Sequence, residues 1–208
     1  MPFVKSSKSS TVPADVKSDE GIESRIGDLS SPNLETRWSA ARALGGRADA
    51  VAALAQALGT EQVARVREAI MTALIRVGDE ASVRALLPYL RSQDAGQRGT
   101  TIEALQALPQ AVMPFIAALF ADNDADVRIL ATELARNMPA TDATRVLCGL
   151  LENEPHPNVC AAAIDVLAEV GTRDAVPTLE ACAGRFSETP FLSFAIATTI
   201  ARISETEG

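Results

Sequence analysis

The sequence repeats one helical pattern with a period of 30 to 33 residues. Six segments align on an anchor position, and mostly small or aliphatic residues follow three and seven places later. The anchors are Arg37, Arg67, Arg98, Arg128, Cys160 and Ser193. Apolar residues at such offsets form one stripe along an α-helix. Because a single helix cannot bury this stripe alone, the copies are predicted to stack on one another.

A second set of segments rich in Ala and Leu alternates with the anchor helices. Gly45-Gly46, Gly78 and Gly171 close three anchor helices, while Pro109 and Pro139 take that place after two others. The twelve predicted helices are 21–29, 35–46, 48–58, 64–78, 80–90, 96–108, 109–120, 125–138, 141–151, 157–171, 174–186 and 190–203. They predict an all-α fold, a right-handed α-α superhelix or α-solenoid of about six helical hairpins.

The first twenty residues differ in composition from the rest of the chain. They are rich in Ser, Lys, Asp and Pro and have little apolar surface to bury. Residues 1–20 are therefore predicted to be a disordered tail, and residues 21–206 the repeat solenoid.

Composition excludes several classes of protein. Hydrophobic residues make up 47% of the chain but aromatic residues only 4%, which favours closely packed helices over a β-sandwich. The net charge is −8, with 27 acidic and 19 basic residues, so a nucleic acid is not the expected partner.

The sequence also predicts a cytoplasmic protein. It has neither the apolar core of a signal peptide nor an apolar run long enough to span a membrane. The three cysteines, Cys148, Cys160 and Cys182, stand at no motif spacing and lie among aliphatic residues, as reduced cysteines do.

An Asp-rich turn followed by Val-Arg recurs before the anchor helices. Asp124, Asp126, Val127 and Arg128 give its clearest copy, and Val66 with Arg67 the next. With the period near 31 and the Ala-rich helices, this pattern resembles the bacterial HEAT-like repeats named after phycobilisome lyases. The resemblance implies the solenoid architecture, with the anchor helices lining a concave face, and says little about activity.

The anchor arginines could have either of two roles. They could form a basic ligand-binding ladder, or each guanidinium could satisfy the carboxylates and backbone oxygens of the adjoining turn. The structural reading is favoured, with Asp94 expected as the partner of Arg98, and Asp124 and Asp126 as partners of Arg128.

No residue pattern indicates catalysis, a cofactor or a metal site. His156 is the only histidine and has no CxxC motif beside it, whereas structural zinc needs four ligands at short spacings. There is no GxSxG, no Gly-rich phosphate loop and no HExxH. The chain is therefore predicted not to be an enzyme and to have no cofactor.

Two rows of residues on the anchor helices suggest a partner-binding face. Five places after the anchors lie Arg42, Glu103, Glu133 and Asp165, a row that is acidic in the middle. One place after the anchors, Trp38 and Phe194 belong to a partly apolar row, although Trp38 could equally be a lid over the first hairpin. An apolar row beside an acidic row suits a basic, amphipathic segment of another protein.

Three functions remain open at this stage. The favoured one is a non-catalytic scaffold or adaptor that binds a partner protein on its concave face, through Trp38, Arg42, Glu103, Glu133, Asp165 and Phe194. The resemblance also implies two alternatives. One is a phycobilin lyase-like subunit that handles a chromophore in a pocket of aromatic, Arg and His residues. The other is a regulatory adaptor in bacterial signalling or chemotaxis.

Overall fold

The computed structural model describes the backbone of residues 14–206 and the side chains of residues 21–205. Within this range the chain forms twelve α-helices and no β-strand, as predicted. The helices are α1 (Ala14–Asp28), α2 (Leu34–Ala43), α3 (Val51–Thr60), α4 (Ala64–Val77), α5 (Glu80–Leu86), α6 (Ala95–Gln106), α7 (Pro109–Phe120), α8 (Ala125–Glu133), α9 (Ala140–Asn153), α10 (Pro157–Val170), α11 (Val176–Arg185) and α12 (Pro190–Thr206).

Four of the predicted helices include a tighter 3-10 segment. Ala48–Ala50 precedes α3, Leu87–Arg91 follows α5, Leu134–Asn137 follows α8 and Arg173–Ala175 precedes α11. The 3-10 segment after α5 has a direct cause in Pro88. This residue has no amide hydrogen, and in an α-helix its ring would clash with the carbonyl four residues earlier.

The first helix begins earlier in the chain than the predicted helix 21–29. The helix α1 begins at Ala14, inside the segment that was predicted to be disordered. No glycine or proline interrupts residues 14–20, so nothing in that stretch opposes a helix. Residues 1–13 of the predicted tail lie outside the described residues.

The chain divides into two units, Met1–Arg76 and Val77–Gly208. In the first unit α1 packs against α2. In the second unit each helix contacts its hairpin partner and the helix two places along, so that α5, α7, α9 and α11 form one layer and α6, α8, α10 and α12 the other. This stacking of successive hairpins is that of an α-solenoid.

The buried stripe matches the periodicity of the sequence. Leu44, Leu74, Leu105, Ala135 and Leu167, the residues seven places after the first five anchors, are at most 1% exposed. The core is therefore built from small and branched aliphatic side chains, which let helices approach closely.

Two glycines end helices in the predicted manner, and a third has a different role. Gly46 and Gly78 have φ of 84° and 71°, in the left-handed region that favours glycine. Gly171 instead has an extended backbone, and a side chain there would collide with the carbonyl of Leu167.

Two of the four anchor arginines, Arg37 and Arg128, connect successive repeats, one in each unit. In the first unit, Arg37 makes two bonds to Glu61, with Nε–Oε2 and Nη2–Oε1 distances of 2.7 and 3.2 Å. Its Nη1 donates to the carbonyl of Ser31 at 2.9 Å. Each guanidinium of this kind therefore joins its own turn to the next repeat.

The same arrangement recurs in the second unit. Arg128 bonds both carboxylate oxygens of Glu154, at 2.8 and 2.9 Å, and the carbonyl of Asp122 at 2.8 Å. The Glu154 side chain is only 2% exposed and that of Arg128 13%. Arg98 makes the bond to its own turn, because its Nη1 donates to the carbonyl of Ser92 at 2.7 Å.

The structural reading of the arginines is thus supported. The charge of Asp124 acts on Arg128 as expected, but the carboxylate that hydrogen-bonds the guanidinium is that of Glu154. Asp94 accepts hydrogen bonds from the amides of Gly96 and Gln97, and Asp124 accepts one from the amide of Asp126. Both aspartates cap the N-terminus of their own helix, where free amides need acceptors. The carboxylates that bind arginine come from the following repeat instead.

We expect the Arg128–Glu154 pair to be costly to break. Glu154→Gln removes the negative charge and leaves the half-buried guanidinium without its counter-ion, which should lower the free energy of unfolding by about 2–3 kcal/mol. Glu152→Gln, an exposed position on α9, is the matched control and should change it by less than about 0.5 kcal/mol. Urea unfolding followed by circular dichroism measures both, and equal effects would contradict the inter-repeat role.

The Arg37–Glu61 and Arg128–Glu154 bridges also predict that the protein is less stable in acid. The hydrogen bond from Arg37 lowers the pKa of Glu61 against the opposing effect of burial. Burial raises the pKa of Glu154, but bonds from Arg128 and the amide of His156 outweigh it, so that the net shift is also downward. A lowered folded-state pKa stabilises the protein above the unfolded value of about 4.3, and this stabilisation is lost as the pH falls through the folded value.

The melting temperature of the wild-type protein should therefore fall more steeply than that of the Glu61→Gln, Glu154→Gln double variant between roughly pH 5 and pH 3. The difference between the two proteins should be largest near neutral pH and shrink in acid. Parallel curves across this range would show that the two carboxylates do not carry the acid sensitivity.

Candidate functional site

The predicted acidic row lies on α6, α8 and α10 of the second unit. Glu103 on α6 and Asp165 on α10 are exposed, and Glu133 at the end of α8 is half-buried. Because α8 contacts both α6 and α10, the three carboxylates stand on successive helices of one layer.

A single arginine, which sequence reasoning did not assign, brings two of these acids together. Arg136 binds Glu133 at 2.9 Å, Asp165 at 2.9 Å and Glu169 at 2.5 Å. These four residues are called the Arg136 cluster below. Hydrogen bonding to Glu133 is the largest of several effects that raise the pKa of Arg136. Three carboxylates around one guanidinium leave the cluster with a formal charge of −2.

Amide side chains fix the end of α8 against α6. Gln106 Nε2 donates to the carbonyl of Glu133 at 2.7 Å, and Asn137 Nδ2 donates to the carbonyl of Gln106 at 3.2 Å. Gln106 lies three residues after Glu103 on the same helix, so these bonds hold the segment that carries Glu103 beside the cluster.

The partly apolar row ends in an exposed aromatic pair. Phe194 on α12 is 74% exposed, and Phe191, three residues earlier, is 51% exposed. Residues three apart on a helix share a face. Phe194 was predicted as a contact residue, whereas Phe191 was missed, although its spacing from Phe194 could have indicated it. The repeat register aligns Phe194 with Ala161 on α10, one helical turn before Asp165.

Trp38 and Arg42 lie in the first unit, where the structure adds a third residue to them. The guanidinium carbons of Arg42 and Arg65 stand 4.6 and 4.4 Å from the centroid of the Trp38 ring. Arg65 also binds Glu35 at 2.6 Å. The half-buried indole is therefore stacked with cations. This cationic, aromatic group belongs to the first unit, whereas the acidic Arg136 cluster belongs to the second.

An apolar groove of about 770 Å³ lies between α7 and α9 of the second unit. Met113, Ile116 and Phe120 line one side of it, and Val146 and Leu150 the other. Its cations, Arg128 and Arg145, both have carboxylate partners, Glu154 and Asp142.

The residues that line this groove can be compared with those required by the predicted chromophore-handling function. That alternative requires aromatic, Arg and His residues together. Of the residues that line the groove, Phe120 is the single aromatic one, and none is a histidine. The alternative stays a prediction.

His156 has a local structural role. It is the residue before α10, and its amide donates to the Glu154 carboxylate at 2.9 Å. In residues 21–205, whose side chains the structure describes, no three His, Cys, Asp or Glu side chains are grouped so that they could hold a metal ion. Over the same range, none of the helices combines the length and the apolar character that a bilayer crossing requires.

Two segments of the chain, residues 24–106 and 112–205, match the family model for HEAT repeats. The chain belongs to the HEAT-repeat family. The predicted resemblance is thereby confirmed at the level of the repeat, and HEAT-repeat arrays are extended scaffolds typical of protein binding. No curated protein sequence matches the chain.

The chain is similar to several solved structures at low sequence identity. The archaeal HEAT-like repeats protein from Thermococcus onnurineus is 17% identical, with a TM-score of 0.50 over 91% of this chain and 89% of that one. The complex of CpcE and CpcF of phycocyanin lyase from Nostoc sp. is similar at 22% identity, a TM-score of 0.45, and coverage of 86% and 74%. A designed armadillo repeat protein in complex with the peptide (KR)4 is similar at 15% identity, a TM-score of 0.43, and coverage of 88% and 99%.

The Arg136 cluster predicts a variant whose free energy of unfolding depends on the salt concentration. Arg136→Gln leaves three neighbouring carboxylates without their shared cation, so their repulsion should lower the free energy of unfolding by about 1 kcal/mol at low salt. Added sodium chloride screens this repulsion and should recover most of the loss. Arg145→Gln, which breaks the exposed pair with Asp142, is the control and should show little change. Thermal melts across a salt series test this, and a loss in Arg136→Gln that salt does not reduce would contradict it.

Proposed function

We propose that this HEAT-repeat protein is a scaffold that binds a basic, amphipathic segment of another protein on the layer formed by α6, α8, α10 and α12. The observation that carries the proposal is that exposed Phe191 and Phe194 lie on α12, which packs against α10, the helix that carries Asp165 and Glu169 of the Arg136 cluster. We call the two phenylalanines and the Arg136 cluster, with Glu103, the acidic–aromatic face.

The two phenylalanines supply the apolar part of the proposed contact. Among residues 21–205 they are the exposed large hydrophobic side chains. Covering one phenylalanine side chain that water now reaches stabilises a complex by roughly 1–3 kcal/mol. Aromatic anchors of this kind dominate the binding energy of many interfaces.

The carboxylates supply the charge selection. With Glu103, the acidic–aromatic face has four carboxylates and one guanidinium, so its potential attracts a cationic segment and repels an acidic one. Asp165 and Glu169 keep 69% and 48% of their side chains exposed while bound to Arg136. Lysine or arginine of a partner can therefore reach them without displacing Arg136.

Trp38 and Arg42 are proposed to contact a different part of the partner. Their surface in the first unit is aromatic and cationic, so we assign them to contacts with acidic or aromatic groups of a partner. They are proposed as a second contact surface and not as part of the acidic–aromatic face.

The proposal predicts binding of a synthetic amphipathic helix with Lys and Arg on one face and Leu on the other. Phe191→Ala with Phe194→Ala should weaken binding at least tenfold, because the apolar anchors are lost. Asp165→Lys with Glu169→Lys should weaken it by a similar factor at low salt and by less at high salt. Fluorescence anisotropy with a labelled peptide measures these affinities.

The control variants carry the same charge change elsewhere. Glu152→Lys with Glu180→Lys alters exposed positions on α9 and α11, in the other layer, and should leave the affinity within about twofold of wild type. A peptide of the same composition in scrambled order should bind more weakly. Equal losses in the test and control variants would reject the acidic–aromatic face as the binding site.

A further inference from the structure

The helix α7 carries no charged residue, although part of it faces solvent. Its sequence is PQAVMPFIAALF, and Pro114, Ala117 and Ala118 are exposed. The other helices of its layer, α5, α9 and α11, all carry charged residues. Contiguous apolar surface that water reaches is typical of interaction sites in soluble proteins.

A groove lies on each side of α7. The larger, of about 770 Å³, separates α7 from α9. The smaller, of about 460 Å³, separates α7 from α5 and the 3-10 segment that follows it. Gly149 on α9 deepens the larger groove, because a side chain at this position would extend into open space. The exposed side of α7 and these two grooves, all within the second unit, are called the α7 surface below.

Arginines border the α7 surface on both sides. Arg84 and Arg91 line the smaller groove, and Arg145 lines the larger one. The guanidinium carbon of Arg84 stands 5.4 Å from the centroid of the Phe115 ring on α7. The cations therefore lie directly beside the apolar side chains that a partner would cover.

The carboxylates of the two grooves are less accessible than the arginines. The side chains of Asp122 and Glu154 are 14% and 2% exposed, whereas those of Arg91 and Arg145 are 51% and 64% exposed. Four arginines and two carboxylates line the grooves, a formal charge of +2, and Asp142 beside Arg145 lowers it to +1. The α7 surface is thus positive in a chain with a net charge of −8, and it attracts acidic groups.

We propose that the α7 surface binds an acidic, amphipathic helix of another protein. This site differs from the acidic–aromatic face in the layer on which it lies and in the charge of the segment that it accepts. A scaffold with two such sites can hold an acidic and a basic segment at the same time.

The shape and the charge of the α7 surface together favour a helix. Apolar side chains spaced three or four residues apart on the partner enter the larger groove, against Met113, Phe120 and Val146. Packed helices lie about 8–10 Å apart, so acidic side chains on the two flanks of that helix reach the arginines on both borders. A nucleic acid backbone would meet the arginines but leave the apolar grooves uncovered.

The test uses the full chain and a labelled synthetic helix of roughly five turns, with Leu on one face and Glu on the other. Fluorescence anisotropy should show saturable binding. Gly149→Leu fills the larger groove and should weaken this binding at least tenfold. Because leucine favours a helix more than glycine does, the variant should melt at or above the wild-type temperature, which separates the loss from unfolding.

A matched control makes the same substitution outside the grooves. Gly184 is an exposed glycine of α11 with equally open surroundings, so Gly184→Leu should bind the helix within about twofold of wild type.

The charge requirement has its own pair of variants. Arg84→Glu with Arg145→Glu should weaken binding at least tenfold at low salt and by less at high salt. Arg25→Glu with Arg47→Glu makes the same change in net charge at exposed arginines of the first unit, and should weaken it by no more than about threefold.

Three results would overturn the proposal. The first is that the Glu–Leu helix does not bind the wild-type protein. The second is that either control variant loses as much affinity as its test variant. The third is self-association in sedimentation that Gly149→Leu abolishes, since the occupant of the α7 surface would then be a second copy of this chain.

Discussion

The arginine–glutamate bridge between successive repeats is the interaction on which the organisation of this chain depends. Aliphatic stripes pull hairpins together, but they are non-directional and leave the offset between neighbours loosely specified. A guanidinium that binds both oxygens of a buried carboxylate accepts one geometry only. Arg37 with Glu61 and Arg128 with Glu154 therefore set how one repeat lies on the next at one junction of each unit. Such a buried pair adds modest net stability, yet removing one partner is expensive.

The surface features follow from this repeated geometry. Because stacked hairpins place equal sequence positions side by side, Glu133 and Asp165 stand on neighbouring helices, close enough for Arg136 to bind both. Phe191 and Phe194 stand at the end of the same layer. The proposed partner-binding face thus needs no dedicated loop or cavity, since it consists of exposed positions of the repeat. The buried positions allow variation too, since the fifth anchor is Cys160, whose thiol donates to the carbonyl of Glu154.

Much of the fold and part of the candidate site could be predicted from spacing. The helices follow from apolar stripes and from Gly and Pro at their ends, and most predicted boundaries lie within a few residues of the observed ones. Glu103, Asp165 and Phe194 are exposed, as the row analysis required. Arg136 and Phe191 were missed because the analysis followed two offsets from the anchor and neither residue lies on them. The positions of Glu61 and Glu154 as carboxylate partners could have been recognised in the sequence, since both lie six places before the next anchor position.

The sequence by itself determined the secondary structure, the repeat length and which face of each helix is buried, because these depend on residues within one or two helical turns. The tertiary structure alone decided the partners of the charged and thiol groups. Asp124 is closer to Arg128 in sequence, yet Glu154 binds it from 26 residues away. The reason is geometric: the offset and rotation between stacked hairpins choose which side chains meet, and a near-periodic sequence permits several such offsets with similar burial of apolar surface.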